Sequence, residues 1–211
     1  ENYEIKYKRR VENDWIEGRK RGIPYIIIGI PPNSLKKMET FCIRENVSMI
    51  KSLSLCHIMG RVSEEIKKYG DFKYICNSTL SQIISSLYSN EWIQISYSGG
   101  KIAELFQNLS IHSVMKLKRY IKKEFSKFFP EKIEIKEIRK YFWRDAVHYW
   151  LPNIKTTEYE MMKRSIRPHW NKYPNLYWIG ESISMKQGWI EGALETSIYC
   201  YKLLEKKEKK K

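Results

Sequence analysis

Apolar and polar residues alternate in Tyr3-Glu4-Ile5-Lys6-Tyr7-Lys8, the period-two pattern of a half-buried strand. The polar stretch Glu12 to Arg21 reads as a turn. It leads into Ile23-Pro24-Tyr25-Ile26-Ile27-Ile28-Gly29-Ile30, which Pro31-Pro32 ends. A β-branched run of this length between breakers predicts a strand covered on both faces, as in a parallel or mixed sheet. Ser34 then predicts the cap of a short helix from Leu35 to Phe41. Strand patterns return at Ser52-Leu53-Ser54-Leu55, at Phe72 to Ile75, and at Glu91-Trp92-Ile93-Gln94-Ile95-Ser96-Tyr97 before Ser98-Gly99-Gly100.

The pattern then changes to helical spacing. Ile111, Val114, Leu117, Ile121, Phe125 and Phe128 recur at steps of three and four behind Ser110, the predicted N-cap, and Pro130 stops the helix. The aromatic-dense stretch from Ile133 to Pro152 reads as strand and loop. Thr157 to Ile166 reads as a helix ended by Pro168, Asn175 to Glu181 as a strand, and Gln187 to Leu204 as a closing helix. Residues 206–211 form a charged tail. Strands interleaved with helices define an α/β (α+β) class.

Composition narrows this picture little. Of 211 residues, 39 are Lys or Arg and 24 are Asp or Glu, a net charge of +15. The cations are mostly lysines spread along the whole chain, so basicity alone assigns no partner. Cys42, Cys56, Cys76 and Cys200 stand apart, without a C-x-x-C pair or zinc-like spacing. They read as reduced thiols in an intracellular, cytoplasmic setting, and no metal is expected. No apolar stretch approaches the roughly 20 residues of a membrane span, and no signal peptide is read at the charged start.

Chemistry concentrates near the end. Leu176-Tyr177-Trp178-Ile179-Gly180-Glu181 is an apolar strand running into Gly-Glu; a loop and a helix beginning Gly188-Trp189-Ile190-Glu191-Gly192-Ala193 follow. Small residues on the first turns let backbone approach a sheet or a flat ligand. The unpaired N–H groups of the helix start favour negative charge. These residues resemble the carboxyl-terminal signature of the FAD-dependent amine oxidase superfamily, which includes monoamine and polyamine oxidases. Three further stretches resemble family segments in the family's order: Tyr25 to Pro32, Ile93 to Ala103, and Trp143 with His148-Tyr149-Trp150-Leu151-Pro152.

The resemblance implies FAD as cofactor, with Gly180 and Glu181 at its ribityl-phosphate part. Gly188, Trp189, Ile190, Glu191 and Ala193 would lie along the flavin, with Trp143 beside it. Trp189 would form one aromatic wall and His148 with Trp150 a second, orienting a small-molecule amine for hydride transfer to flavin, with reoxidation by oxygen. His57 stands where the family carries a longer cation. Each residue also has a plainer role open to it: Trp189, His148 and Trp150 as parts of a core, Glu191 as a dipole-favoured carboxylate, His57 as a structural histidine. His112 and His169 read as surface residues.

No G-x-G-x-x-G turn occurs in the sequence. The resemblance therefore implies a partial FAD-binding domain of the amine oxidase type joined to a mixed-sheet-and-helix substrate domain. The amino-terminal Rossmann half would be missing and supplied in cis or in trans. Residues 1–34 and 173–205 would belong to the FAD domain and 35–172 to the substrate domain, and this piece alone would be inactive. The competing expectation is a non-catalytic basic protein, built on a remnant of the fold, that binds nucleic acid or an acidic partner.

Overall fold

The computed structural model describes residues 3–11, 14–23, 25–36, 48–85, 92–129, 133–152, 156–167 and 173–209, with side chains from residue 25 onward. Cys42, Pro130, Pro168, His169 and most of the helix expected from Leu35 to Phe41 lie outside these residues. The chain divides into two compact units, one formed by Glu1–Lys51 with His148–Lys211 and the other by Ser52–Val147.

In the first unit, strands β1 (Tyr3–Val11) and β2 (Asp14–Ile23) form an antiparallel pair, with Val11 opposite Asp14. The polar stretch expected to be a turn is thus largely strand. A partner's backbone ladder satisfies its amides, which side-chain alternation could not reveal. Strand β3 is Ile26–Ile28, shorter than its apolar run, and pairs in parallel with β9, Leu176–Trp178. Ile27 is half exposed, so β3 is not covered on both faces as its composition predicts.

A short helical turn, α1 (Pro32–Leu35), follows β3. The core of this unit gathers Ile28, Leu35, Trp150, Met161, Met162, Ile166, Leu176, Tyr177, Trp178 and Cys200. Trp178 is fully buried and its indole N–H donates to the Ile30 carbonyl at 3.0 Å. That bond removes the cost of an unpaired donor in an apolar site.

The second unit is built on a sheet of order β5-β6-β7-β4-β8. Its strands are β4 (Ile50–Val62), β5 (Lys73–Ile75), β6 (Gln82–Ile84), β7 (Trp92–Gly99) and β8 (Ile135–Trp150). Along β4, Cys56, Ile58 and Val62 are buried at every second position, and Gly60 keeps the register between them. They share one core with Ile93 and Ile95 of β7 and with Ala103, Phe106, Leu117, Ile121 and Phe125 of two helices.

Those helices are α2 (Gly100–His112) and α3 (Val114–Phe125). The single helix expected from Ile111 onward therefore begins earlier and is broken at Ser113, whose backbone is extended. Ser110 is no N-cap; its hydroxyl donates to the Gln107 carbonyl at 2.8 Å. The break leaves Ile111 and Val114 exposed while Leu117 and Ile121 stay buried. Helical spacing thus continued across a joint it could not detect.

Two more helices complete the first unit. Helix α4 (Glu158–Ile166) opens with a reciprocal capping box between Thr157 and Glu160, and α5 (Ile190–Glu208) runs past the end predicted for it. Among the described residues, no helix is long and apolar enough to cross a membrane.

Candidate functional site

In the first unit β9 ends at Trp178, Gly180 follows, and Glu181–Ile183 makes one 3-10 turn before the loop into α5. The loop is organised by the Glu181 carboxylate. One oxygen pairs with His148 Nδ1, and the other accepts the Gly188 amide at 2.8 Å. Gly188 has φ of 80°, a backbone region that side-chain-bearing residues seldom enter, so glycine is required where the loop turns back to meet the carboxylate. Burial pushes the Glu181 carboxyl up; the His148 hydrogen bond, the Gly188 amide and the charge attraction of His148 outweigh it and hold the group below its ordinary value.

A second set of bonds fastens the loop to the end of β8. The Trp150 indole donates to the Ser184 carbonyl at 2.9 Å, and its backbone amide donates to Gln187 Oε1 at 2.7 Å. Gln187 Nε2 in turn donates to the Ser182 carbonyl at 2.6 Å. Inside α5, Thr196 accepts the Gly180 amide at 3.0 Å and is itself fully buried. A Cβ on Gly192 would lie 2.2 Å from Ser184 Oγ and 2.3 Å from the Lys186 carbonyl oxygen. The close approach that this small residue permits is therefore made by the protein's own loop.

Of the residues singled out from sequence, Gly180, Glu181, Gly188, Trp189, Ile190, Glu191, Ala193, His148 and Trp150 all belong to this unit. Trp189 is the residue before α5, no side chain caps that helix start, and Trp189 and Ile190 are 71% and 74% exposed. Glu191 is exposed in the first turn. Trp150 is buried in the core with both its N–H groups engaged. His148 is also buried, and its Nε2 has no partner among the described residues.

Sequence reasoning passed over Gln187, Ser184 and Thr196. Only Thr196 carried a signal: it follows Gly192 by four residues and so shares its helix face.

His57 and Trp143 belong to the second unit, on one face of its sheet. The His57 ring centroid lies 5.6 Å from that of Tyr97 and 6.2 Å from that of Tyr141, and Tyr141 stacks on Trp143 at 6.3 Å. Tyr97, Tyr141 and Trp143 are each exposed by more than 40%, so the row is an open aromatic surface. Burial pushes the His57 ring below its ordinary value, and the Gln94 amide opposes it. The opposition is weak, since His57 Nε2 and Gln94 Nε2 both lack a well-formed partner among the described residues.

The arrangement around Glu181 suits a flavin in three respects. The amides at the start of α5 are uncapped and can meet negative charge. The Glu181 carboxylate has about four acceptor positions, of which its two bonds use half, so hydroxyl donors can still be received. The buried, unpartnered Nε2 of His148 is a further polar group awaiting a partner. Among the described residues, no group of three His, Cys, Asp or Glu is placed to hold a metal ion.

A family model described as flavin containing amine oxidoreductase matches residues 78–200. Among solved structures, the chain is similar to cyclohexylamine oxidase from Brevibacterium oxydans IH-35A, with TM-score 0.62 and 13% identity, over 89% of this chain and 44% of that one. It is also similar to a protein assigned as a protoporphyrinogen oxidase from Exiguobacterium sp. 255-15, with TM-score 0.55 and 10% identity, over 83% of this chain and 40% of that one. The chain therefore spans about two fifths of the length of these two solved structures, whose likeness is one of fold. A search of curated proteins gives no match.

Proposed function

Because the chain belongs to the flavin-containing amine oxidoreductase family, we propose that it is the carboxyl-terminal portion of an FAD-dependent oxidase acting on a carbon-nitrogen bond of an amine. The observation that carries this reading is the brace of Glu181 on Gly188, which sets the uncapped start of α5 directly after the carboxylate turn. Flavin, when bound, supplies the two-electron acceptor for the amine's hydride, with oxygen as the final oxidant.

This chain's own residues would do the holding. Glu181 receives hydroxyl donors of the FAD ribityl-phosphate part and keeps the loop closed through Gly188. The backbone from Trp189 to Glu191 offers its amides to the electron-rich edge of the ring. Trp189, exposed at the helix start, offers an aromatic wall. His148 and Trp150 are positioning residues, one through Glu181 and the other through Ser184 and Gln187. His57 and Trp143 stand in the open aromatic row of the second unit.

A missing amino-terminal half, supplied in cis or in trans, belongs to the same reading, and the chain alone would be inactive. An apolar stripe on α5 supports it. Ile190, Leu194, Ile198 and Tyr201 follow steps of four, four and three on one face, and each is at least half exposed. The opposite face, with Gly192, Thr196 and Cys200, is buried. A helix apolar on both sides is built to be covered on both sides. The free thiols of Cys56, Cys76 and Cys200 support a reducing, intracellular setting.

The test is the reading frame that encodes these residues. Upstream of Glu1 it is expected to encode a strand followed by G-x-G-x-x-G, and the protein expressed from it is expected to be yellow with an oxidised-flavin absorbance band. Weaker flavin retention is expected in Glu181→Ala. A colourless full product, or flavin retention unaffected by Glu181→Ala, overturns the assignment.

A further inference from the structure

Away from the flavin-facing residues, the first unit contains a cleft of about 330 Å³ lined by Lys163, Arg164, Arg167, Tyr199 and Leu203. Lys163 and Arg164 occupy the last turn of α4 and Arg167 is its C-cap residue. Tyr199 and Leu203 come from the inner face of α5, about 14 Å or more beyond its start. We propose that this cleft binds a phosphate monoester, its oxyanion held by the three cations and its organic body against Tyr199 and Leu203.

Cations in a last turn have an ordinary role, since they complement the helix dipole. That accounts for Lys163 and Arg164 as exposed side chains. It does not account for Arg167, whose Nε is buried without a hydrogen-bond partner among the described residues. An unpaired buried donor is costly, and a helix dipole does not supply the missing acceptor. Arg167 also lines the cleft, where the remaining donors of its guanidinium can meet a ligand oxygen.

The lining contains no carboxylate, and among the described residues none of the three cations is ion-paired. Lys163 instead lies 4.0 Å over the Tyr159 ring, a contact that leaves its charge unneutralised. Three unneutralised cations around one opening match a dianion better than a single carboxylate. A phosphate monoester carries about −1.5 to −2 charge and three acceptor oxygens, which a guanidinium fork engages with two parallel bonds. The apolar contribution of Tyr199 and Leu203 leaves room for a small organic group, and the volume is at the lower end of ligand sites, about 300–1,000 Å³.

The test is calorimetric titration of the full 211-residue chain with inorganic phosphate and with phenyl phosphate, in chloride-balanced buffers of constant ionic strength. Saturable one-to-one binding is expected, tighter for phenyl phosphate. Roughly tenfold weakening is expected in Arg167→Gln and again in the double variant Lys163→Gln/Arg164→Gln, which alters only exposed side chains. The double variant also serves if Arg167→Gln fails to fold, as checked by circular dichroism. Absence of saturable heat, equal affinity in the folded variants, or phenyl phosphate no tighter than phosphate would sink the proposal. Flavin retention is a separate readout, so the two assignments can fail independently.

Discussion

At the scale of single residues, the Glu181 carboxylate ties His148 to Gly188 in the candidate site. Because its folded-state carboxyl is held below the ordinary 4.5, the unfolded chain takes up the proton first as pH falls. The stabilisation is therefore complete above that ordinary value and is lost as pH falls through the lowered one. Glu181→Ala leaves the Gly188 amide and His148 Nδ1 without their acceptor, an expected loss of about 1–3 kcal/mol near neutrality. Urea unfolding across the acid range should show both this loss and a flatter acid limb in the variant. An unchanged limb would contradict the linkage.

Cys56 makes an opposite case. Burial, only partly opposed by the Lys140 charge, pushes its thiol up to about 11. The reactive thiolate is then scarce as well as covered. Iodoacetamide at mildly alkaline pH is expected to leave Cys56 unmodified until urea is added, read by mass spectrometry of peptides. Labelling of the folded protein at Cys56 would show that the strand opens locally.

Among the elements, α5 shows two consequences of one periodicity. Its inner face could be read from Gly192, Thr196 and Cys200, but not what would lie against it. Gly192→Ala gains about 1 kcal/mol of helix propensity. It also drives a Cβ into the Lys186 carbonyl and Ser184 at little more than 2 Å. Backbone must move to admit it, and overpacking of this kind costs about 1–3 kcal/mol. The net expectation is a less stable protein with unchanged helix content, measured by urea unfolding with circular dichroism. A stabilised Gly192→Ala would mean that the loop packs elsewhere in solution.

The strands show which elements were legible. The alternation in β4 and β7 identified these strands, because one face meets a core and the residues between do not; β5, exposed at all three residues, was legible only from its short run. Strand β2 escaped notice because its polar residues carry no such contrast, and β6 because three residues make no pattern. Helix α2 was hidden from periodicity alone: Gly99-Gly100 reads as a terminator, yet here it starts a helix, within the stretch Ile93 to Ala103 that resembles a family segment.

For the whole molecule, two features outweigh the net charge of +15 in deciding behaviour. One is the stripe Ile190, Leu194, Ile198 and Tyr201, an uncovered apolar face of a kind that mature soluble surfaces seldom keep. The isolated chain is expected to bind a hydrophobic dye strongly. Leu194→Glu with Ile198→Glu should reduce that signal while changing stability by no more than about 0.5 kcal/mol per site. A large loss of stability would instead show that the stripe is internal. The other feature is the division into two units, each with its own core.

Linear order carried the family's marks: Gly180-Glu181, the Gly188 to Ala193 helix start and the apolar strand before them are contiguous, so their chemistry could be recognised without coordinates. Contiguity also gave away the type of β4, β7, α3, α4 and α5, since periodicity is a local property. Folding decided the partners. His148 reached Glu181 and Trp150 reached Ser184 across more than thirty residues, and α4 and α5 together line one cleft with three cations. Such encounters depend on how faces pack in three dimensions, for which spacing along a chain holds no record.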